Sequence, residues 1–273
     1  MARKQQSAKD RLKGMRERQR REKDAVSRGG GSRYLSLTDQ KDVKFLNVEK
    51  DTRYKIAIIP FQISGRLIDG AYSDEGESFE KGEWWYKVHV FFHRDVGVNR
   101  DRVVCRAKTF GKACPICEYA STLPREEAKS LFPAPNPMVY YNVIDLEAKK
   151  PEILIFGANH SFFEQEAWGE AKASGEDSIT DVGIKFRAEE DSFRGSKFLR
   201  FKSFTCLDWD GPTEEQMDSA FPLDEMVKEP TYEYVKALFE GEAAGDKEDG
   251  DEDEKPSRSR SREREDEDEK PSR

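Results

Sequence analysis

The tightest constraint on this chain is a group of four side chains between His93 and Cys117, spaced H-x11-C-x8-C-x2-C through Cys105 and Cys114. The last two cysteines bracket the turn Cys114-Pro115-Ile116-Cys117. Three thiolates and one imidazole complete a tetrahedral set for zinc, and a set that leaves no position for substrate holds one structural ion. The plainer alternative is three unrelated cysteines in a reducing compartment. Cys206 argues against it: that residue stands alone among aromatic and apolar neighbours, as an ordinary buried cysteine does, while the other three are gathered in one segment. His89, four residues before His93, is a rival ligand because both fall on the same side of a strand.

Among the 273 residues, apolar types make up 36% and charged types 37%, too charged for the whole chain to pack, so one core with two tails is expected. The boundaries read as a basic arm and Gly-rich hinge over 1–33, a core over 34–240 with a zinc subdomain at about 84–120, and an acidic low-complexity tail over 241–273. No apolar run is long enough to cross a bilayer and none follows the N-terminus. The expectation is therefore a soluble, intracellular protein (host cytoplasm, if viral) with reduced thiols and no membrane partner.

The net charge of -8 conceals a polarity. Residues 1–33 carry twelve Lys/Arg against four Asp/Glu, whereas 241–273 carry eight against fourteen. The basic run, with Ala8, Leu12 and Met15 at helical spacing, reads as a flexible arm for an acidic surface, either nucleic acid or another copy of the chain. The tail repeats Asp-Glu-Asp-Glu-Lys-Pro-Ser-Arg at 251–258 and 266–273. Its composition predicts disorder, and its acidic blocks suit a cationic groove or basic partners.

Between the tails, β-branched and aromatic runs predict mainly antiparallel sheet with accessory helices. Strands are expected at Tyr54–Ile59, Trp84–Phe92, Arg102–Lys108, Met138–Asp145, Glu152–Gly157, Ile184–Arg187 and Lys197–Phe204. Helices are expected at Glu118–Ala120, Arg125–Phe132, His160–Ala173, from the capping box Thr213-Glu214-Glu215-Gln216, and at Thr231–Phe239. Residues 87–112 hold seven Lys/Arg and two Asp, so the metal-bearing ribbon is basic. In Lys197–Phe204, basic and aromatic residues alternate.

Cations interleaved with rings suit a single strand of nucleic acid, whose phosphates they neutralise and whose exposed bases they stack. Lys87, Arg94, Arg102, Arg106, Lys108, Lys185, Arg187, Lys197, Arg200 and Lys202 are the candidate contacts. The plain reading of Trp85, Phe91, Phe92 and Phe198 is core. Tyr140 and Tyr141 are consecutive, so on a strand one is expected to face outward.

The basic arm, the Cys114-Pro115-Ile116-Cys117-Glu118-Tyr119 turn, the strand Val139-Tyr140-Tyr141-Asn142-Val143 and the acidic tail together resemble the T-even phage single-stranded DNA-binding (helix-destabilising) protein family. The resemblance implies an OB-fold core with an inserted zinc subdomain, zinc on His93, Cys105, Cys114 and Cys117, and Tyr140 and Tyr141 in the DNA cleft. It also implies self-association along DNA through the arm, here Arg3, Lys4, Lys9, Arg11 and Lys13, and recruitment of replication, recombination and repair proteins through the tail. The family's short Lys/Arg-then-Ser/Thr motif is faint at Arg3-Lys4-Gln5-Gln6-Ser7, and before Tyr140 its place is taken by Pro133-Ala134-Pro135-Asn136-Pro137.

Catalysis is not expected. A zinc deaminase needs H-x-E, but Phe91, Asp95 and Phe162 stand two residues after the three histidines. A redox C-x-x-C would need neither Cys105 nor His93, and no phosphate-cradling glycine loop occurs. The alternative function is a zinc-ribbon transcription-regulatory or RNA-binding interaction protein.

Overall fold

Tyr-Lys-Ile-Ala-Ile-Ile is a strand-forming run, and it lies within β1 (Thr52–Ile59), whose last four residues are buried on both faces. Pro60, which has no N–H for a ladder, ends it. The computed structural model describes residues 43–73, 77–134, 136–193 and 196–241. The arm residues Arg3, Lys4, Lys9, Arg11 and Lys13 and the acidic tail past Gly241 lie outside them.

The strand at the centre is β7 (Met138–Asp145), seven of whose eight residues are buried. Along one side it pairs antiparallel with β8 (Ile153–Asn159), from Met138 opposite Asn159 to Ile144 opposite Ile153. Its other side is shared end to end by two strands: β1 pairs with Asn142–Asp145, and β4 (Val88–Val90) pairs with Met138–Tyr140. Beyond β1 lie β9 (Gly183–Phe193) and then β10 (Ser196–Leu207), which completes a six-stranded antiparallel sheet. Two small ribbons stand apart: β2 (Phe61–Gln62) with β3 (Trp84–Trp85), and β5 (Phe92–Val96) with β6 (Asp101–Val104). The expected single strand Trp84–Phe92 is thus divided among three partners, because each third of it meets a different strand.

One face of the sheet packs under α4 (His160–Ala173). Phe163 meets the rings of Tyr141, Phe156, Phe186, Phe201 and Phe204 at centroid distances of 4.9–5.8 Å. Beside it the fully buried carboxylate of Glu164 accepts hydrogen bonds from Lys87 Nζ (2.7 Å), Tyr86 Oη (2.8 Å) and Tyr141 Oη (3.0 Å). Lys87 is therefore an interior ion-pair partner. It is unavailable to phosphate, contrary to the sequence expectation, and the reason is an acid 77 residues away on another element.

The other face is covered where it crosses β7. Asn142 Nδ2 donates to the Phe221 carbonyl (2.9 Å) and its Oδ1 accepts from the Phe221 amide (3.3 Å). Ala57, Ile59 and Ile144 pack against Trp209 and Ala220. The covering segment includes α5 (Glu214–Asp218), opened by a capping box between Thr213 and Gln216, and α6 (Leu223–Met226). Buried Asp224 ties α6 to the loop after β2, accepting from the Ser64 amide (2.7 Å), Ser64 Oγ (2.8 Å) and Tyr72 Oη (2.7 Å). Tyr140 and Tyr141 point to opposite faces as expected, yet neither faces outward (4% and 0% exposed), because both faces of β7 are covered. Tyr140 instead lies over its ladder partner Gly157, where a Cβ would sit 2.7 Å from the ring.

Breaking a buried ion pair by removing one partner costs about 3–5 kcal/mol, because the other charge stays behind without its counterion. Lys87→Met is expected to destabilise the chain by that amount in urea unfolding. A loss under about 1 kcal/mol would mean that the two tyrosine hydroxyls suffice for Glu164.

Candidate metal centre and cationic sheet face

The strand expected over Arg102–Lys108 stops at Val104, because Cys105 caps a short helix, α1 (Arg106–Phe110), accepting from the Lys108 amide at 3.4 Å. Gly111 ends that helix at φ 68°, in the left-handed region that glycine enters without penalty. Three residues on, Cys114 stands at the N-cap position of α2 (Pro115–Thr122), making no capping bond of its own, with Pro115 at the first helical position and Cys117 in the first turn. Thiolates at helix N-termini are favoured by the amide dipoles. β5 delivers His93 from the opposite side.

The four ligand atoms converge, all lying within 4.8 Å of one another. His93 Nε2 is 3.3 Å from Cys114 Sγ and 3.6 Å from Cys117 Sγ, and Cys105 Sγ is 3.6 Å from Cys117 Sγ. A tetrahedral centre with metal–sulfur bonds of about 2.3 Å and a metal–nitrogen bond of about 2.0–2.1 Å has S···S edges of about 3.8 Å and N···S edges of about 3.6 Å. The cluster therefore has the dimensions of one such centre and could hold a single metal ion. His93 Nδ1 lies 2.8 Å from the Leu131 carbonyl, which can only accept. Nδ1 therefore carries a proton, and Nε2 is the nitrogen turned to the sulfurs, the atom that would bind a metal once its own proton is displaced, with the Leu131 carbonyl as the outer-shell partner of a metal-binding histidine. His89 is fully buried on β4 and is no part of the group, which resolves the choice between the two histidines.

Hydrogen bonding with Cys105 pulls the Cys114 thiol well below its ordinary value and pushes that of Cys117 well above it. Burial lowers the pKa of His93, but hydrogen bonds with Cys105 and Cys114 outweigh it and raise the imidazole to about 10. A metal ion must displace such protons, so its affinity falls as pH falls.

The candidate nucleic-acid contacts separate into two groups. Around the metal centre, Arg102 lies over the Phe92 ring (4.5 Å), and Arg106 is held by Glu229 (3.0 Å) and lies over Tyr232 (5.8 Å). Arg94 and Lys108 are exposed there. The second group is brought together by strand register. Arg53, Arg187 and Lys202 stand directly abreast across β1, β9 and β10, and Lys55 and Lys185 stand abreast one repeat along. Opposed ladder residues share a face, and this one is opposite the face under α4. Arg200 follows on the same face, opposite Glu189, and Lys197 lies on β10 opposite Ser192.

Carboxylates are interspersed in this array. Glu189 meets Lys202 (2.8 Å) and Arg187 (3.7 Å), Asp51 meets Arg187 (3.6 Å), Asp191 meets Arg200 (3.6 Å) and Glu147 meets Lys55 (2.7 Å). Six cations against four acids leave the face net positive. Sequence reasoning missed Arg53 and Lys55, although Arg53-Tyr54-Lys55 shows the same period-two alternation of cation and ring as β10.

No family model, curated protein or solved structure matches this chain. Among the described residues, no helix is long and apolar enough to cross a membrane.

The purified chain is expected to take up one equivalent of divalent metal, with affinity falling about tenfold per pH unit for each proton displaced. Chelator competition at several pH values measures this. Cys114→Ser should abolish stoichiometric uptake, and retained uptake would remove Cys114 from the ligand set.

Proposed function

We propose that this protein binds single-stranded nucleic acid through the open face of β1, β9 and β10, on an OB-type core braced by one structural zinc ion. The observation that carries the reading is the row Arg53–Arg187–Lys202, with Lys55, Lys185 and Arg200 beside it, on a sheet face. Like charges directly opposite one another on a sheet are unfavourable unless counter-charge lies over them, and a phosphate backbone supplies more of it than four carboxylates do. Cations spread across strands suit a flexible strand laid over them, as in OB domains. Duplex readers of the helix type place a helix in the major groove, but none of the described helices carries more than two Lys/Arg. Phosphate neutralisation, and not stacking on the buried Tyr140 and Tyr141, dominates the contact. The role is binding, not catalysis.

Zinc is the ion that three thiolates and an imidazole in a closed site select. The basic arm strings copies along unpaired DNA, and the acidic tail recruits replication, recombination and repair proteins. Both roles rest on composition and on the likeness to the T-even phage family, and the task they favour is the coating of DNA during phage replication.

Titration of a labelled oligonucleotide against its duplex, over a range of salt, tests the reading. Single strands should bind more tightly, with log K falling linearly in log salt at about -0.7 per phosphate contacted. Arg53→Ala/Lys185→Ala/Arg187→Ala should weaken binding at least tenfold and make the slope shallower by up to about 2. Equal affinity for the duplex, or an unchanged slope in the triple variant, would overturn the proposal.

A further inference from the structure

The metal-bearing segment is too slight to hold itself together. It consists of a two-stranded ribbon and helices of five and eight residues, and elements of that size are marginal unless braced. The metal is one brace. The other comes from the end of the described chain, α7 (Tyr232–Glu240).

Val235, fully buried, shares an apolar cluster with Cys105, Cys114 and Ile116. Tyr232 Oη donates to Glu118 Oε2 (2.8 Å), and Phe239 lies against Tyr119 (5.4 Å). Just before the helix, Glu229 accepts from both Arg106 (3.0 Å) and Lys112 (2.6 Å). At its far end the Leu238 carbonyl comes so close to Gly97 (φ 68°) that a Cβ there would sit 2.3 Å from the oxygen. All of these seats lie between Gly97 and Tyr119, the stretch that the four ligands fold.

We propose that α7 is a metal-dependent strap: it docks on the metal-loaded segment and is released when the metal is lost. The seats named above exist only while Cys105, Cys114 and Cys117 converge, and closed sites of this kind contribute their binding energy to local folding. By thermodynamic reciprocity, undocking α7 must weaken the metal by the same factor that the metal strengthens docking. The acidic sequence begins at Glu242, directly after Gly241, the last described residue. Metal occupancy therefore decides whether that sequence leaves from a fixed point on the core. The inference rests on the four-ligand site and not on the nucleic-acid reading.

Hydrogen exchange on the full chain, zinc-loaded and after chelation, tests the strap. Amides of α7, including Val235 N–H bonded to the Thr231 carbonyl, should lose at least tenfold of their protection on chelation, while those of α4 and β7 keep theirs. Val235→Asp should weaken zinc about tenfold, within the usual range of coupling. Tyr232→Phe, which loses only the hydroxyl contact, should weaken it less, and Lys236→Ala on the exposed side should leave it unchanged. Undiminished α7 protection after chelation would overturn the proposal, as would parent-like zinc affinity in Val235→Asp. Because the exchange comparison uses the parent chain, it decides the matter even if Val235→Asp fails to fold.

Discussion

A single strand with no solvent-facing side sets the terms for the rest of the core. Because β7 hands one of its edges entirely to β8 and divides the other between β1 and β4, three segments far apart in sequence are brought into one sheet by it. Both of its faces are then roofed, by α4 on one side and the Trp209–Phe221 stretch on the other. Its backbone amides are consumed in ladders and its side chains, from Met138 to Ile144, in packing. A strand so enclosed cannot present residues to a ligand. The charged surface lies instead on β9, β10 and the Thr52 end of β1, beyond the stretch of β1 that pairs with β7.

The enclosed interior also explains the buried Lys87–Glu164 ion pair. Glu164 sits on the helix that closes the aromatic face, and it is satisfied by three donors from two separate regions, Tyr86-Lys87 and Tyr141. Such a network contributes little net stability compared with apolar packing, but each member is costly to remove. It ties α4 both to the Tyr86-Lys87 segment and to β7.

The His93–Cys105–Cys114–Cys117 cluster stands beside this core as a second, smaller assembly with its own apolar cluster. Local sequence builds its parts: a cysteine capping α1, Gly111 turning the chain back, and Pro115 starting α2. Distant sequence completes it, through the Leu131 carbonyl behind His93 and α7 over the sulfurs. The two levels depend on each other, because a ribbon and two short helices are too small to hold their ligands in place without contacts from elsewhere in the chain.

Much of this was legible in the chain itself. The spacing from His93 to Cys117 named the ligand set, because metal geometry demands those side-chain types and a tight turn brings two of them together whatever the surrounding fold. Period-two and helical patterns located β1, β7 to β10, α4, the capping box at Thr213 and α7, since such patterns record which face of an element is wet. What the sequence could not reveal is which elements meet. Lys87 read as a surface cation until Glu164 arrived from 77 residues away, one of Tyr140 and Tyr141 as outward-facing until both faces of β7 were covered, and Arg53 passed unnoticed until register set it beside Arg187 and Lys202. Local chemistry is written in neighbouring residues. Burial and charge clustering are properties of long-range contact, and only the folded chain decides them.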